Sequence, residues 1–309
     1  MMRRKQWSMR WWQKAMNRSK EMNLSAKCFL PRALIAGFCL GGFAALSAPS
    51  ANSSAPIQFQ HIVRRDPNYS IHVVKINLKD PHVSVHVARG GTDPDGDGPW
   101  LTTLLPTSEI AEREHYAVAI NGDFFEAQAT KDIEGKNTGY VRGKPAAPVG
   151  MAMSDGVLWH RSRTPRAYLE ITKSNVAKLE TGAEPVDAAA REIVGGSQII
   201  VRDSHALTFT NLFATARHPR TAVGIDASGT ELTLLVVDGR QPELSIGMTL
   251  AEVSEEMIRQ GCTAAINLDG GGSTTLVCRD AKTRKLEILN SPSDTKERSV
   301  ADVLGVTVK

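Results

Sequence analysis

The sequence lacks the local patterns on which several common hydrolase sites depend. Its four cysteines and eight histidines are scattered along 309 residues, and none of them falls at the spacing of a zinc site. It contains no G-x-S-x-G nucleophile elbow and no Gly-Lys-Ser/Thr triplet of a P-loop. These absences argue against serine hydrolases, zinc hydrolases and P-loop proteins.

The main part of the chain also lacks an excess of basic residues, although the formal net charge is +4. Residues 1–32 hold nine Lys or Arg and one acid, whereas the other 277 residues carry 28 basic and 32 acidic side chains. A nucleic-acid-binding protein keeps its basic surface in the folded part. The charge distribution therefore excludes nucleic acid as a partner, while 41% hydrophobic and 23% charged residues indicate an ordinary globular protein.

The apolar run Ala33–Leu46 has 14 uncharged residues, fewer than the ~20 that a membrane-spanning helix needs. A basic segment precedes it and the small residues SAPSANSSAP follow it, which is the order of a secretory signal peptide. We predict a signal peptide over residues 1–50 with a long basic n-region, or a shorter one that starts at Met16 or Met22. The protein is then periplasmic or secreted. If the leader is not cleaved, it tethers the protein to the inner membrane and makes the only membrane contact.

Cleavage near residues 48–51 removes two cysteines and leaves Cys262 and Cys278. These two flank Gly270 symmetrically, and in an oxidising compartment a cross-strand disulfide is one interpretation. The alternative is two separately buried small hydrophobic residues.

The mature chain alternates apolar and polar residues with period two in many short segments, which predicts strands. The clearest helix covers Leu250–Gln260, where Thr249 and Glu252 form a capping box. Many strands, few helices and no regular βαβ alternation predict an α+β fold with a mixed or antiparallel sheet core. We expect a flexible lead-in over residues 51–66 and a single domain over residues 67–309.

The most informative segment for function is INLDGGGSTTLV, residues 266–277. A predicted strand ends at Asp269, and three glycines allow a tight bend with exposed N–H groups, an arrangement that suits an anion such as phosphate. The alternative is a Gly-rich hairpin with a capping Asp. The candidate anion-binding residues are Gly270, Gly271, Gly272, Ser273 and Thr274.

Three further segments place polar side chains at strand ends. AINGDFFEA (119–127) supplies Asn121, Asp123 and Glu126 after an apolar strand, with Phe124 and Phe125 as a sugar-stacking surface or as core residues. Four charged residues lie near later strands, namely Arg220, Asp238, Arg240 and Arg298. Each of them alone is also compatible with an ordinary surface charge or a turn former.

Asp93, Asp95 and Asp97 match the start of a calcium loop, but Leu104 stands where the bidentate Glu belongs and Pro94 is awkward within the loop. We predict no cofactor and no metal site, with calcium at these three aspartates as the alternative.

The segments RTAVGID, LTLLVVDGR, GMTLAEVSEEMIRQGCTAAINLDGGGSTTLV and ERSVADVLGV closely resemble the phosphodiester glycosidase family. AINGDFF, PVGMAMSDG and VGGSQIIV fall in the same order as similar segments of that family, so the resemblance covers roughly residues 83–309. It implies an exported α+β domain that cleaves sugar-1-phosphodiester bonds. One departure is Asp123, which stands where many bacterial relatives have glycine.

We therefore predict a hydrolase that cleaves the sugar C1–O bond of sugar-1-phosphodiesters in envelope or exopolysaccharide glycans. Asp269 or Asp123 is the expected nucleophile or base, because glycosidases use paired carboxylates, and arginines suit the phosphodiester. The alternatives are a metal-assisted phosphodiesterase that cleaves P–O and a non-catalytic glycan-binding module. The predicted catalytic residues are Asp269, Asp123, Glu126 and Asp238, and the predicted substrate-binding residues are Asn121, Arg220, Arg240, residues 270–274 and Arg298.

Overall fold

The structure, a computed structural model, describes residues 55–129, 139–182, 184–185 and 187–309. The predicted signal peptide lies outside the described residues, which all belong to one unit, Ser53–Lys309. Within this part of the chain, no helix is both long and apolar enough to span a membrane.

Strands dominate the described residues, as the period-two patterns predict. In chain order they are β1 (Ile57–Arg64), β2 (Tyr69–Asn77), β3 (Val83–Arg89), β4 (Thr102–Thr103), β5 (Leu105–Pro106), β6 (Val118–Asn121), β7 (Phe125–Ala127), β8 (Pro145–Pro148), β9 (Ala152–Ser154), β10 (Val157–His160), β11 (Arg166–Thr172), β12 (Ala177–Gly182), β13 (Ala190–Gly195), β14 (Gln198–Arg202), β15 (His205–Ala206), β16 (Arg220–Ile225), β17 (Glu231–Val237), β18 (Ala264–Asn267), β19 (Leu276–Arg279), β20 (Leu286–Ile288), β21 (Ser299–Val300) and β22 (Asp302–Val308). The helices are α1 (Thr107–Arg113), α2 (Leu212–Thr215) and α3 (Leu250–Arg259), with a 3-10 turn at Gly271–Ser273.

Three larger sheets form the body of the domain. A seven-stranded sheet has the order β1-β2-β17-β16-β18-β14-β15, and two five-stranded sheets have the orders β10-β9-β13-β11-β12 and β20-β19-β6-β22-β3. Two small sheets, β21-β5 and β4-β8-β7, complete the set within the described residues. Their strands pair antiparallel, so of the predicted mixed or antiparallel core the structure shows the antiparallel form.

The seven-stranded sheet is covered on both faces, and β17 shows how the sequence encodes this. Leu232 and Leu234 point into the core that the three larger sheets share. Leu235 and Val237 point to the opposite face, where α3 packs. Because both faces are buried, the strand is almost continuously apolar instead of alternating.

Helix α3 begins at the predicted capping box: the Thr249 side chain accepts from the Glu252 N–H, and the Glu252 carboxylate accepts from the Thr249 N–H. Val253 and Met257 form its buried face. Gly261, at φ +90°, ends it in the left-handed region that favours glycine.

Two sequence-based expectations differ from the structure. Residues 57–64, predicted as part of a flexible lead-in, form strand β1, which pairs with β2 along its whole length. The segments around the triple glycine do form strands, but β18 pairs with β14 and β16 whereas β19 pairs with β6 and β20. They therefore lie in different sheets and form no hairpin, and both Cys262 and Cys278 are free.

Candidate active site

Three strand ends meet where the chain crosses from the seven-stranded sheet to a five-stranded one. Gly122, directly after β6, accepts a hydrogen bond from the N–H of Asp269 (3.1 Å) and donates its own N–H to the carbonyl of Asp302 (3.0 Å). This backbone pairing joins the ends of β6 and β18 to the start of β22. It brings the carboxylates of Asp123, Asp269 and Asp302 to one junction, and we call these three residues the acid cluster.

Asp123 and Asp302 form the buried part of the acid cluster. The Asp123 N–H donates to Asp302 Oδ1 at 2.8 Å, and Asp123 Oδ2 accepts from the N–H of Gly150. Both side chains are buried. Burial raises the pKa of each carboxyl above its ordinary value, and the mutual repulsion of nearby carboxylates raises it further.

Asp269 is the member of the acid cluster that keeps partial solvent exposure. Loss of hydration raises the pKa of its carboxyl to about 6, while the Ser273 hydroxyl, the Gly270 N–H and the cations Arg298 and Arg240 act in the opposite direction. Its Oδ1 accepts the Gly270 N–H at 2.8 Å. The carboxylate is therefore ionised at neutral pH yet remains a competent base.

Asn121 stabilises the junction through hydrogen bonds of its side-chain amide. Its Nδ2 donates to the carbonyl of Asp269 (2.7 Å), and its Oδ1 accepts from the hydroxyl of Thr221 (2.8 Å) and the N–H of Thr275 (3.1 Å). Because these bonds occupy its amide, the structure places Asn121 behind Asp269, where it holds the backbone that carries the carboxylate.

The three glycines provide room for two arginines. A Cβ at Gly271 would stand 2.9 Å from Arg240 Nη2, and one at Gly272 would collide with the Arg298 guanidinium and the Asp294 carboxylate. Arg298 is itself paired with Asp294 at 2.6 Å. Glycine at these two positions lets the guanidinium groups lie directly against the backbone, and a larger residue would displace them.

The loop is not the set of free N–H donors that the sequence suggested. The N–H groups of Gly271, Ser273 and Thr274 already donate to Pro219, Gly270 and Gly271 carbonyls, and that of Gly270 donates to Asp269. These four donors are already used within the protein, so the arginines beside the loop are better placed to hold an anion.

Arg220 is a buried cation at the start of β16, with 1% of its surface exposed. Its guanidinium donates to the carbonyls of Met248 (2.9 Å), Phe213 (2.7 Å) and Ala216 (2.8 Å). Burial and the neighbouring Arg240 lower its pKa to about 10. The sequence-based alternative of a surface charge is wrong for this residue.

Positive charge accumulates around Arg220. Arg240 Nη2 lies 3.4 Å from His218 Nδ1, and burial together with Arg220 and Arg240 lowers the pKa of His218. Among the ion pairs of the described residues, neither Arg220 nor Arg240 has a carboxylate partner. We call Arg220 and Arg240 the cation cluster, and His218 lies beside it.

Aromatic side chains lie beside the two clusters. Phe124 packs edge-on against Phe213 at 5.9 Å, and Arg166 and Arg220 lie over these two rings. Phe213 is partly exposed. Phe125 instead packs among the core residues of α1 and the small sheets, so only Phe124 is placed to present a ring next to Asp123.

Buried polar atoms without a hydrogen-bond partner are concentrated at the junction. Native structures leave few such atoms, and each requires an explanation such as water or a ligand. Those at or beside the acid cluster are Asp123 Oδ1, Asp302 Oδ2, Asn267 Oδ1, Thr274 Oγ1 and Thr275 Oγ1.

Two predicted catalytic residues lie apart from the acid cluster. Asp238 is buried, and its carboxylate accepts from Ser70 (2.8 Å), Asn290 (3.2 Å) and the N–H of Ser291 (2.8 Å). It ties the loop after β20 to β2. Glu126 is exposed and lines a separate cleft beside His160.

The three aspartates for which calcium was the alternative lie at an exposed turn. Asp93 Oδ1 accepts the N–H groups of Asp95 (3.1 Å) and Gly96 (2.8 Å), which is an ordinary Asx turn.

Asp302 is the member of the acid cluster that the sequence analysis missed. It lies in ERSVADVLGV, one of the segments that resemble the family, but an Asp at the start of a strand has no distinctive local signal. Only the pairing of β22 with β6 places it next to Asp123.

Comparison with known proteins places this chain in a family. The sequence model described as phosphodiester glycosidase matches residues 114–307. Because the match covers more than half of the chain, the protein belongs to the phosphodiester glycosidase family, which confirms the resemblance noted in the sequence.

Known relatives and solved structures agree with this family assignment. The N-acetylglucosamine-1-phosphodiester alpha-N-acetylglucosaminidases of Bos taurus and Homo sapiens are 46% identical over 67 residues and 42% identical over 65 residues, or 22% and 21% of this chain. An uncharacterized SPbeta prophage-derived protein of Bacillus subtilis is 33% identical over 106 residues, or 34% of this chain. These alignments span only 12–15% of the length of the relatives.

The fold is shared over a longer stretch. The catalytic domain of the zebrafish N-acetylglucosamine-1-phosphodiester alpha-N-acetylglucosaminidase, auto-inhibited by its pro-peptide, aligns over 85% of this chain and 87% of its own, with a TM-score of 0.57 and 22% identity. A putative exported protein of Burkholderia pseudomallei aligns over 78% of this chain and 74% of its own, with a TM-score of 0.58 and 16% identity. At these identities the likeness establishes the fold.

Proposed function

We propose that this protein hydrolyses the sugar C1–O bond of sugar-1-phosphodiesters. The observation that carries the proposal is the placement of a carboxylate cluster beside a cation cluster that has no carboxylate partner of its own. A sugar-1-phosphodiester needs both: negative charge at the sugar, where an oxocarbenium-like transition state develops, and positive charge at the phosphate. Membership of the phosphodiester glycosidase family supports the same chemistry.

Asp269 is the carboxylate that acts on C1 in this proposal, as nucleophile or as base for water. It is the only member of the acid cluster with partial exposure, and a pKa near 6 leaves it ionised at pH 7. Asp123 and Asp302 are buried beside it, and their raised pKa values favour the protonated form of both carboxyls. They adjust the charge of the site without requiring contact with the sugar.

The leaving group needs little help from an acid, because a phosphate monoester is already a stable anion. The main task of the protein on that side is to hold the phosphate. Arg240 is exposed and lies against Gly271, so it contacts the phosphate, while Arg220 beneath it supplies fixed positive potential. The rings of Phe124 and Phe213 supply an apolar wall for the sugar or the aglycone.

A metal-assisted phosphodiesterase is the second candidate, because Asp123 Oδ1 and Asp302 Oδ2 are buried carboxylate oxygens without a hydrogen-bond partner. The two reactions differ in the bond that water cleaves. Incubation of the protein with UDP-N-acetylglucosamine or N-acetylglucosamine-1-phosphoryl-methylmannoside in ¹⁸O water, followed by mass spectrometry, separates them. We expect the label on sugar C1. Label on phosphorus would establish phosphodiesterase chemistry, and binding of either compound without turnover would establish a glycan-binding module.

The proposed place of action is outside the cytoplasm, on envelope or exopolysaccharide glycans. Support comes from the basic leader, the 14-residue apolar run and the small residues that follow it. Fractionation of cells that express the full chain, with mass determination of its N-terminus, tests this. A cytoplasmic protein with an intact N-terminus would contradict it.

A further inference from the structure

A second cluster of chemically active side chains lies in a different part of the domain. His86 on β3, Asp155 in the turn between β9 and β10, and Glu192 on β13 place one possible ligand atom each within 4.8 Å of one another. They line a cleft of about 450 Å³. No residue of the acid cluster or the cation cluster lines this cleft.

The imidazole of His86 is held so that one nitrogen faces the carboxylates. Its Nε2 lies 3.1 Å from the Thr307 hydroxyl, and its ring stacks on Tyr116 with centroids 5.8 Å apart. The other nitrogen, Nδ1, faces Glu192 Oε1 at 3.8 Å. When Nε2–H donates to Thr307, Nδ1 directs a lone pair at a carboxylate oxygen, a repulsive arrangement that a proton or a metal cation between the two atoms relieves.

The separation between His86 Nδ1 and Glu192 Oε1 is compatible with a bound cation. A distance of 3.8 Å is too long for a hydrogen bond, whereas two ligand atoms about 2.1 Å from one zinc ion lie about 3.4 Å apart in tetrahedral geometry. A hydrogen bond from a ligating histidine to a second group is also the usual way in which proteins orient a metal ligand. A shift of a few tenths of an ångström brings this pair to that separation, and the ligand atom of Asp155 lies within 4.8 Å of both.

The charge balance of Glu192 agrees with this. Its side chain is 1% exposed, and its two ion pairs, with His86 and with Arg191 Nε at 3.9 Å, are both long. Its oxygens accept the N–H groups of Val87 (2.9 Å) and Asp155 (3.3 Å). Two neutral donors and one distant guanidinium leave the buried Glu192 carboxylate incompletely compensated, and the exposed Asp155 adds a second negative charge beside it.

We propose that His86, Asp155 and Glu192 bind a divalent transition-metal ion, with Zn²⁺ the best match to one imidazole and two carboxylates. The ion joins the edge strand β3 of one five-stranded sheet to β13 and the β9–β10 turn of the other, and its open coordination position faces the cleft. Its function is to fasten these two sheets together. The sequence has no spacing motif for it because the three ligands come from distant strands.

The test measures metal binding directly. The purified protein is stripped of metal with EDTA, dialysed and titrated with Zn²⁺ by calorimetry, and Co²⁺ is added separately to record its visible spectrum. We expect one ion per chain, a cobalt spectrum typical of imidazole and carboxylate ligands, and a higher melting temperature with metal. His86→Gln and Asp155→Asn should each lower the affinity for Zn²⁺ at least 100-fold.

The matched control is Asp95→Asn, in the exposed aspartate turn, which should bind Zn²⁺ as the unmodified protein does. Asp155 has φ +48° in a two-residue turn, a conformation that asparagine adopts readily, so Asp155→Asn keeps the fold; circular dichroism checks this. Unchanged affinity in both ligand variants, loss of binding in Asp95→Asn, or no binding at 100 µM Zn²⁺ would each overturn the proposal. These readouts do not depend on turnover, so they stand apart from the proposed hydrolase activity.

Discussion

The N–H of Asp123 donates to the carboxylate of Asp302 at 2.8 Å, although the two residues lie 179 positions apart in the chain. One follows β6 and the other begins β22, and the antiparallel pairing of these strands makes the contact. The structure therefore concentrates buried acids at a junction between sheets. Such a concentration costs stability, which is typical of functional sites.

Asp302→Asn should make the protein more stable at neutral pH. The pKa of Asp302 is raised in the folded state, so the folded protein binds more protons than the unfolded chain, and the stability falls as the pH rises through the folded pKa. Asparagine removes this charge, and its Oδ1 can still accept the Asp123 N–H.

Urea unfolding at pH 4 and pH 8 measures the effect. We expect the variant to gain about 1–2 kcal/mol relative to the unmodified protein at pH 8 and less at pH 4, where the folded state of the unmodified protein is protonated at this position and the unfolded state is only partly ionised. An equal change at both pH values would contradict the assignment of a raised pKa to Asp302.

The rate should fall in acid because Asp269 must be ionised. Since its pKa is raised to about 6, kcat/KM for a sugar-1-phosphodiester should drop about tenfold for each pH unit below 6. A pH profile from 4.5 to 8 measures this limb. An acid limb near pH 4 would show that burial does not perturb Asp269, and a flat profile would remove it from the reaction.

Gly272→Ala should lower activity, because a Cβ there displaces the guanidinium of Arg298 and the carboxylate of Asp294. We expect kcat/KM to fall about tenfold, or about 1.4 kcal/mol. Gly96→Ala is the control: Gly96 has φ +62° but no atom near the position of a new Cβ. It should lose about 1 kcal/mol of stability and keep its activity. Equal activity in both variants would refute the role of the close approach.

Arg240→Met should weaken phosphate binding and leave the fold intact. Arg240 is exposed and has no carboxylate partner among the ion pairs of the described residues, so its loss should change the free energy of unfolding by less than about 0.5 kcal/mol. We expect KM for the phosphodiester to rise roughly 10–100-fold, the loss of one charged contact. Arg65→Met, at the exposed turn after β1, should change neither quantity. An unchanged KM in Arg240→Met would place the phosphate elsewhere.

Much of the fold could be predicted from local pattern. The period-two segments gave the strands, and the Thr249–Glu252 capping box marked the start of α3 to the residue. Sheet membership could not be predicted, because it depends on partners far along the chain. The strands on either side of Gly270 look like a hairpin in sequence, yet they belong to different sheets.

Part of the candidate site could also be predicted from local sequence pattern. Asp123 and Asp269 each follow an apolar strand and adjoin glycine, a local signal that the sequence shows. Asp302 has no such signal, and Asp238, which resembles a strand-end acid equally well, is instead bound by Ser70 and Asn290. Whether an acid at a strand end supports catalysis or structure is decided by its neighbours in space.

In the proposed reaction, Asp269 performs the chemistry at this junction. The most direct measurement compares Asp269→Asn with the unmodified protein for turnover and for binding of N-acetylglucosamine-1-phosphoryl-methylmannoside, with urea unfolding as the check on the fold. We expect turnover to fall at least 1,000-fold, while the dissociation constant changes less than tenfold and the protein stays folded. Turnover within tenfold of the unmodified protein would contradict this role of Asp269 and move the reaction to another carboxylate.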